Sequence, residues 1–205
     1  MINKVLLPFI IIIAFFVLWI KSDIQFSLSF PFILLLTVPL WIYYRVSRCK
    51  QYQNNLRTGR EVLVNIFFLY LLLVLYVTLN PFHFSPPGNK GHINTAPFVQ
   101  ILYQYKYKPP IFWMLYAIGN ILMFVPFGFL FPAIYKRRFK MIVTILVAAL
   151  SSLTIELTQY LFTIDRAADI DDLIMNVFGA LVGYILFRIT KKITYKTKMS
   201  IFYIK

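Results

Sequence analysis

The feature that most constrains this chain is a series of six long apolar runs spread along its 205 residues. A helix of about 20 apolar residues crosses the hydrocarbon core of a bilayer, and lipid tolerates only helices or closed barrels because backbone groups must be bonded internally. The runs therefore predict an all-α, polytopic transmembrane bundle of about six spanning helices. They lie approximately at residues 5–20, 25–44, 62–79, 111–135, 141–163 and 171–188.

Composition supports a membrane protein and argues against a nucleic-acid-binding one. Hydrophobic residues make up 60% of the chain, whereas soluble domains average about 45–50%. The formal charge is +14, but the basic residues lie between apolar runs and are not gathered on one soluble face, as a nucleic-acid site requires. We therefore expect the lipid bilayer as a partner and no nucleic acid; oligomeric state is not predictable from these features.

Basic residues follow alternate apolar runs, and this spacing predicts the orientation of the chain. Lys and Arg in short loops are retained on the cytoplasmic side of the membrane. Clusters follow the second, fourth and sixth runs, so both termini are predicted to be cytoplasmic, with Lys4 on the same side. The clusters are Arg45, Arg48, Lys50, Arg57 and Arg60; Lys136, Arg137, Arg138 and Lys140; and Arg188, Lys191, Lys192, Lys196 and Lys198.

The chain divides into three predicted parts. Residues 1–60 hold two N-terminal helices and a basic cytoplasmic loop, 61–188 form a four-helix membrane domain, and 189–205 form a basic tail. The first run starts like a signal peptide but ends in Phe16-Val17-Leu18-Trp19, too bulky for cleavage, so we predict a retained helix. Pro31 and Pro39 are expected to kink the second helix, and Cys49 to lie reduced in a cytoplasmic loop.

The external connection, 80–110, is the longest loop. Its Pro and Gly residues predict irregular structure, and its aromatic side chains predict that it lies on the membrane surface. The aromatic residues are Phe82, Phe84, Phe98, Tyr103, Tyr105 and Tyr107.

Glu156 is an unusual residue for the fifth run, because a charged group inside a bilayer costs at least about 2.5–3.5 kcal/mol. Ser152, Gln159 and Thr163 share its helix face at offsets of four, three and seven residues. The alternatives are a functional carboxylate and a structural hydrogen bond to a neighbouring helix. A functional role is favoured, since a glutamine could join helices without a charge.

The sixth run begins with an acidic segment that continues as a polar and small-residue stripe. Asp169, Asp172, Asn176, Gly179 and Gly183 recur at intervals of three and four. The carboxylates are candidates for a site, although acidic residues also suit a helix N-terminus, an alternative that applies equally to Asp171. The two glycines predict a close-packed helix contact.

The fourth run places Asn120 before Pro126 and Gly128, a combination that kinks a helix or interrupts it near a transporter site. With the predicted orientation, Asn120, Glu156 and Asn176 lie roughly 8–14 Å below the external surface at 1.5 Å per residue. We therefore predict a polar pocket that opens outward, in which Arg166 neutralises some of the carboxylates.

Four motifs occur in a characteristic order across residues 62–187. They are Asn94-x-x-Pro97-Phe98, Asn120-x-x-x-Phe124-x-Pro126-x-Gly128, Glu156-x-x-Gln159, and Arg166-x-x-Asp169-x-Asp171-Asp172-x-x-x-Asn176-x-x-Gly179-x-x-x-Gly183. Together they resemble the VanZ family of bacterial membrane proteins, named for a teicoplanin-resistance determinant. The resemblance implies a multi-pass protein of the bacterial plasma membrane, linked to glycopeptide or lipoglycopeptide susceptibility. It implies no mechanism, and residues before 60 lie outside it.

Three functions are compatible with these features. The first is a site that binds or modifies a lipid-linked, glycopeptide-type or surface envelope molecule; the second is a transporter or flippase; the third is a non-catalytic component that alters antibiotic access. No cofactor is expected, and no metal, since His83 and His92 lack ligand spacing. For the first function, the candidate catalytic residues are Glu156, Asp169 and Asp172. The candidate binding residues are Asn120, Gln159, Arg166 and Asn176. The candidate structural residues are Pro126, Gly128, Gly179 and Gly183.

Overall fold

The computed structural model describes residues 14, 17–19, 21, 22, 24–51, 58–80, 82–84, 93–135, 141–163 and 168–196. The predicted all-α membrane bundle is confirmed: within these ranges five helices are long and apolar enough to span a bilayer. The first predicted span, 5–20, lies for the most part outside the described residues. The helices are α1 Phe30–Gln51, α2 Thr58–Leu79, α3 Val99–Tyr107, α4 Pro110–Tyr135, α5 Met141–Phe162 and α6 Ile170–Lys196, and all but α3 are candidate spans.

Helix α1 begins later and ends later than its apolar run predicts. Pro31 lies in its first turn, where a backbone N–H has no intrahelical partner, so the proline removes no bond there. Pro39 is inside the helix. The helix continues beyond the apolar residues to Gln51, so Cys49 belongs to its last turn and the prediction of a loop position is wrong.

Helices α1, α4 and α6 begin, and α2 and α5 end, at one end of the bundle, which we call the loop end. Two short strand pairs cover it: β1 (Phe26–Ser27) pairs antiparallel with β2 (His83–Phe84), and β3 (Ile93–Asn94) pairs parallel with β4 (Ala168–Asp169). Connection 80–110 therefore contains two strands and helix α3, where only irregular structure was predicted.

Phe82 fixes the turn between α2 and this layer. Its φ of 58° is unusual for a residue with a side chain, but the ring is 1% exposed and stacks on Phe30 at 5.9 Å between centroids. The N–H of Leu28 donates to the Phe82 carbonyl. Burial of a large ring therefore offsets the backbone strain.

Helices α4 and α6 pack backbone against backbone. A Cβ atom at Gly128 would overlap the Ala180 carbonyl, and one at Gly179 or Gly183 would overlap carbonyls of α4. Helix α4 runs without interruption through Pro126 and Pro132, so it is not a broken helix. The small residues let α6 approach α4 closely enough for short polar side chains to meet between them.

Helix α1 joins α2 near the opposite end. The Arg45 guanidinium forms an ion pair with the Glu61 carboxylate. The Trp41 indole N–H donates to Asn65 Oδ1 at 2.8 Å, and its ring stacks on Phe68 at 4.2 Å. These contacts attach α1 to the side of the bundle and away from the polar groups of the loop end.

Candidate functional site

The polar face of α5 is turned into the protein. Ser152, Glu156 and Gln159 of α5, and Thr163 directly after the helix, are all buried, at 0%, 5%, 7% and 5% exposure. Thr154, on the other side of the helix, is exposed, and its hydroxyl donates to the Leu150 carbonyl of its own helix. The sequence periodicity therefore identifies the buried stripe, and Thr154 provides a polar position outside it.

Glu156 binds the strand that precedes α6. Its Oε2 accepts a hydrogen bond from the Asp169 backbone N–H at 2.9 Å. The Asp169 side chain lies at the same strand, where its Oδ1 accepts from Asn94 Nδ2 at 3.1 Å and from the Asp171 N–H at 2.9 Å. Two of the three candidate catalytic carboxylates are thus part of one hydrogen-bonded set.

The surroundings of Asp169 favour its neutral form. Burial raises the pKa of this carboxyl, and the charge of Asp171 acts in the same direction. The hydrogen bonds from the Asp171 N–H and the Asn94 amide oppose the increase without cancelling it. A carboxyl with a raised pKa can exchange a proton closer to neutral pH than an ordinary aspartate.

Asp172 lies between α6 and α4. Its Oδ1 accepts a hydrogen bond from Asn120 Nδ2 at 2.8 Å. Asn120 is ten residues into α4, about 15 Å from its start at 1.5 Å per residue, whereas Asp172 lies in the first turn of α6. The structure therefore brings the candidate residue of the fourth run to the acidic start of the sixth.

Asn176 is the polar residue of the α6 stripe that lies furthest from the start of the helix. It is 1% exposed, and its Nδ2 donates to Ser152 Oγ at 2.9 Å. Among the described residues, its Oδ1 has no hydrogen-bond partner. Ser152 lies one turn from Glu156 on α5, so this buried acceptor is adjacent to the carboxylate cluster.

Asp171 has a role that the sequence did not reveal. It is 1% exposed, and its carboxylate accepts hydrogen bonds from three backbone N–H groups at the start of α3. These belong to Phe98, Gln100 at 3.0 Å and Ile101 at 3.2 Å. Asp171 thus caps another helix, whereas the sequence suggested the N-terminus of its own.

Gln159 also bonds to backbone. Its Nε2 donates at 2.7 Å to the carbonyl of Thr78, in the last turn of α2, where carbonyl groups lack intrahelical partners. Gln159 therefore ties α5 to the end of α2. Arg166, the predicted neutralising group, lies outside the described residues. Within the described ranges, no group of three or more His, Cys, Asp or Glu side chains could hold a metal ion.

The fold and these contacts define an all-α, polytopic membrane protein in which polar side chains of three spans meet near one end. The chain belongs to the VanZ/LLP1 family, whose model matches residues 67–191. The resemblance seen in the sequence motifs is thereby confirmed. Neither a curated protein nor a solved structure matches the chain.

Proposed function

We propose that this protein provides a membrane-embedded site in the bacterial cell envelope, open to the outer face, that binds or modifies a lipid-linked or surface envelope molecule. Its action alters susceptibility to glycopeptides of the teicoplanin type. Membership of the VanZ/LLP1 family supports the envelope setting. Three buried or partly buried hydrogen bonds near the loop end support a site in place of isolated polar residues: Asn120 to Asp172, the Asp169 N–H to Glu156, and Asn176 to Ser152.

The observation that carries the proposal is the Oδ1 of Asn176, for which the described part of the chain provides no hydrogen-bond partner. Leaving a buried acceptor without a donor costs about 1–3 kcal/mol. If this position served helix packing alone, an apolar residue in place of Asn176 would avoid the cost. A ligand that donates an O–H or N–H group to Asn176 Oδ1 recovers the lost hydrogen bond.

The carboxylates have a chemical role in this proposal. Glu156 serves as general acid or base for the bound molecule, and Asp169 is its proton-exchange partner because burial raises the pKa of that carboxyl. Asp172 and Asn120 orient the ligand through the outer part of the site. Gln159 contributes to ligand binding together with Arg166, which lies outside the described residues.

Replacing Asn176 with leucine tests the proposal. The change removes the unpartnered acceptor together with the bond to Ser152, whereas Ser152→Ala removes the bond and keeps the acceptor. We expect Asn176→Leu to abolish the glycopeptide phenotype at normal membrane abundance and Ser152→Ala to retain it. Equal retention by both variants would refute a functional acceptor.

A second candidate function is a non-catalytic component that alters antibiotic access. It is favoured by Asp171 and Gln159, whose polar groups bond to backbone and so serve assembly. Under this function, Asn176→Leu and Gln159→Leu should lower activity only in step with protein abundance. Movement of a labelled lipid across reconstituted vesicles would instead indicate a flippase, which the unbroken α4 does not favour.

A further inference from the structure

Helix α3 exposes a stripe of large apolar side chains while two of its glutamines are partly buried. It packs against α4 and α6 with Gln100, Ile101 and Gln104 partly buried, while no residue of the helix is fully buried. The opposite face follows the i, i+3, i+4, i+7 pattern of one helix side. This outward stripe consists of Val99, Leu102, Tyr103 and Lys106, of which the first three are 48%, 60% and 50% exposed.

Exposure of the outward stripe to water is energetically unfavourable. In water, the apolar residues of an amphipathic helix turn to the protein and the polar ones to solvent. Helix α3 departs from this arrangement, since its partly buried face holds two glutamines beside Ile101, while Leu102 and Tyr103 point away from the bundle. With nine residues it is about 14 Å long, too short to span a membrane.

The charges and position of α3 indicate what covers it. Residues 99–107 contain no acidic residue, and Lys106 and Lys108 lie at the C-terminal end. Tyr103, Tyr105 and Tyr107 are of the type enriched at the boundary between hydrocarbon and water. The helix ends three residues before Pro110, where the span α4 begins, so its outward stripe adjoins a lipid-covered surface.

We propose that α3 lies flat in the lipid–water interface at the loop end, with the outward stripe against phospholipid and Lys106 directed to lipid phosphates. Asp171 fixes this position, because its carboxylate holds the first N–H groups of α3 against α6. Helix α3 therefore forms the lipid-facing border of the polar cluster. The proposal concerns lipid binding and stands independently of the function proposed above.

The test places a fluorescent probe on the outward stripe of the full-length protein. With Cys49 replaced by serine, Leu102→Cys is labelled with an environment-sensitive dye and reconstituted in vesicles of phosphatidylglycerol and phosphatidylcholine. Ala96→Cys, at an exposed position in the preceding turn, is the matched control. Both positions are exposed, so neither label should disturb packing.

Brominated lipid should quench the fluorescence of the probe at residue 102 at least about twice as strongly as that of the control probe at residue 96. The reason is that interfacial helices place their apolar face among the acyl chains. Aqueous iodide should quench the control more strongly. Iodide quenching of residue 102 equal to the control would overturn the proposal in favour of exposure to water. Disulfide formation between two copies of unlabelled Leu102→Cys would overturn it in favour of a second chain.

Discussion

Replacing Asp171 with alanine should release α3 from the bundle while leaving the spans in place. The variant removes both carboxylate oxygens that accept the N–H groups of Phe98, Gln100 and Ile101. Loss of a helix N-cap costs about 0.5–2 kcal/mol, and a single bond to a charged group contributes about 1.5–3 kcal/mol. Since the three bonds share one carboxylate and are not additive, we expect about 2–4 kcal/mol of local destabilisation.

Hydrogen exchange of the protein in lipid nanodiscs measures this effect directly. A loss of about 2–4 kcal/mol corresponds to roughly 30- to 700-fold faster exchange of the three amides, at tenfold per 1.4 kcal/mol. Asp171→Asn keeps one acceptor oxygen and should give an intermediate increase. Exchange within threefold of wild type in Asp171→Ala, or an equal increase throughout α4 and α6, would refute the capping role.

Two other predictions concern helix packing and pH. Gly183→Ala should lower the melting temperature in detergent by the equivalent of about 1–3 kcal/mol, the usual range for overpacking, because its Cβ would overlap the Val125 carbonyl. Gly119→Ala is the control, since nothing lies within 4 Å of its added Cβ, and it should be neutral or slightly stabilising. Asp169→Asn imitates the neutral form of the carboxyl. Because the folded state raises the pKa of Asp169, the wild-type protein loses the stability that this carboxyl contributes at low pH as the pH rises. Below about pH 4 the variant and wild type should have the same melting temperature. Towards pH 8 the melting temperature of the variant should be the higher of the two. A difference in melting temperature that narrows with rising pH would contradict the raised pKa.

Most of the spans could be predicted from the sequence because lipid leaves few alternatives for a long apolar run. The fourth run was expected at 111–135, and α4 is Pro110–Tyr135; the fifth was expected at 141–163, and α5 is Met141–Phe162. Helix α6 continues to Lys196, beyond the predicted 188. Hydropathy marks where the apolar residues end, but the backbone bonds of a helix continue into the basic segment.

Helix α3 could not be predicted, because its evidence is tertiary. It is nine residues long, its sequence shows no cap of its own, and Phe98 before it has a φ of 67°. Its N-terminal N–H groups are satisfied by Asp171, about 70 residues later in the sequence. The strand pairs of the loop end depend on equally distant contacts.

The residues of the candidate site could be predicted from the sequence, but their hydrogen-bond partners could not. Helical periodicity placed Ser152, Glu156 and Gln159 on one face, and all three are buried. Periodicity cannot say that Gln159 bonds to the end of α2 or that Asn176 bonds to Ser152. The first pairing depends on how α5 packs against α2, and the second on how α6 is positioned along α5.

Replacing Glu156 with glutamine is the most direct test of whether the buried polar cluster acts on a ligand. Glutamine can still accept the Asp169 N–H but cannot exchange a proton at neutral pH, so folding and chemistry are separated. The control is Thr154→Val, on the opposite face of α5. With membrane abundance matched, we predict that Glu156→Gln lowers the teicoplanin concentration tolerated to that of cells lacking the protein, while Thr154→Val retains wild-type tolerance. Wild-type tolerance in Glu156→Gln would contradict the account.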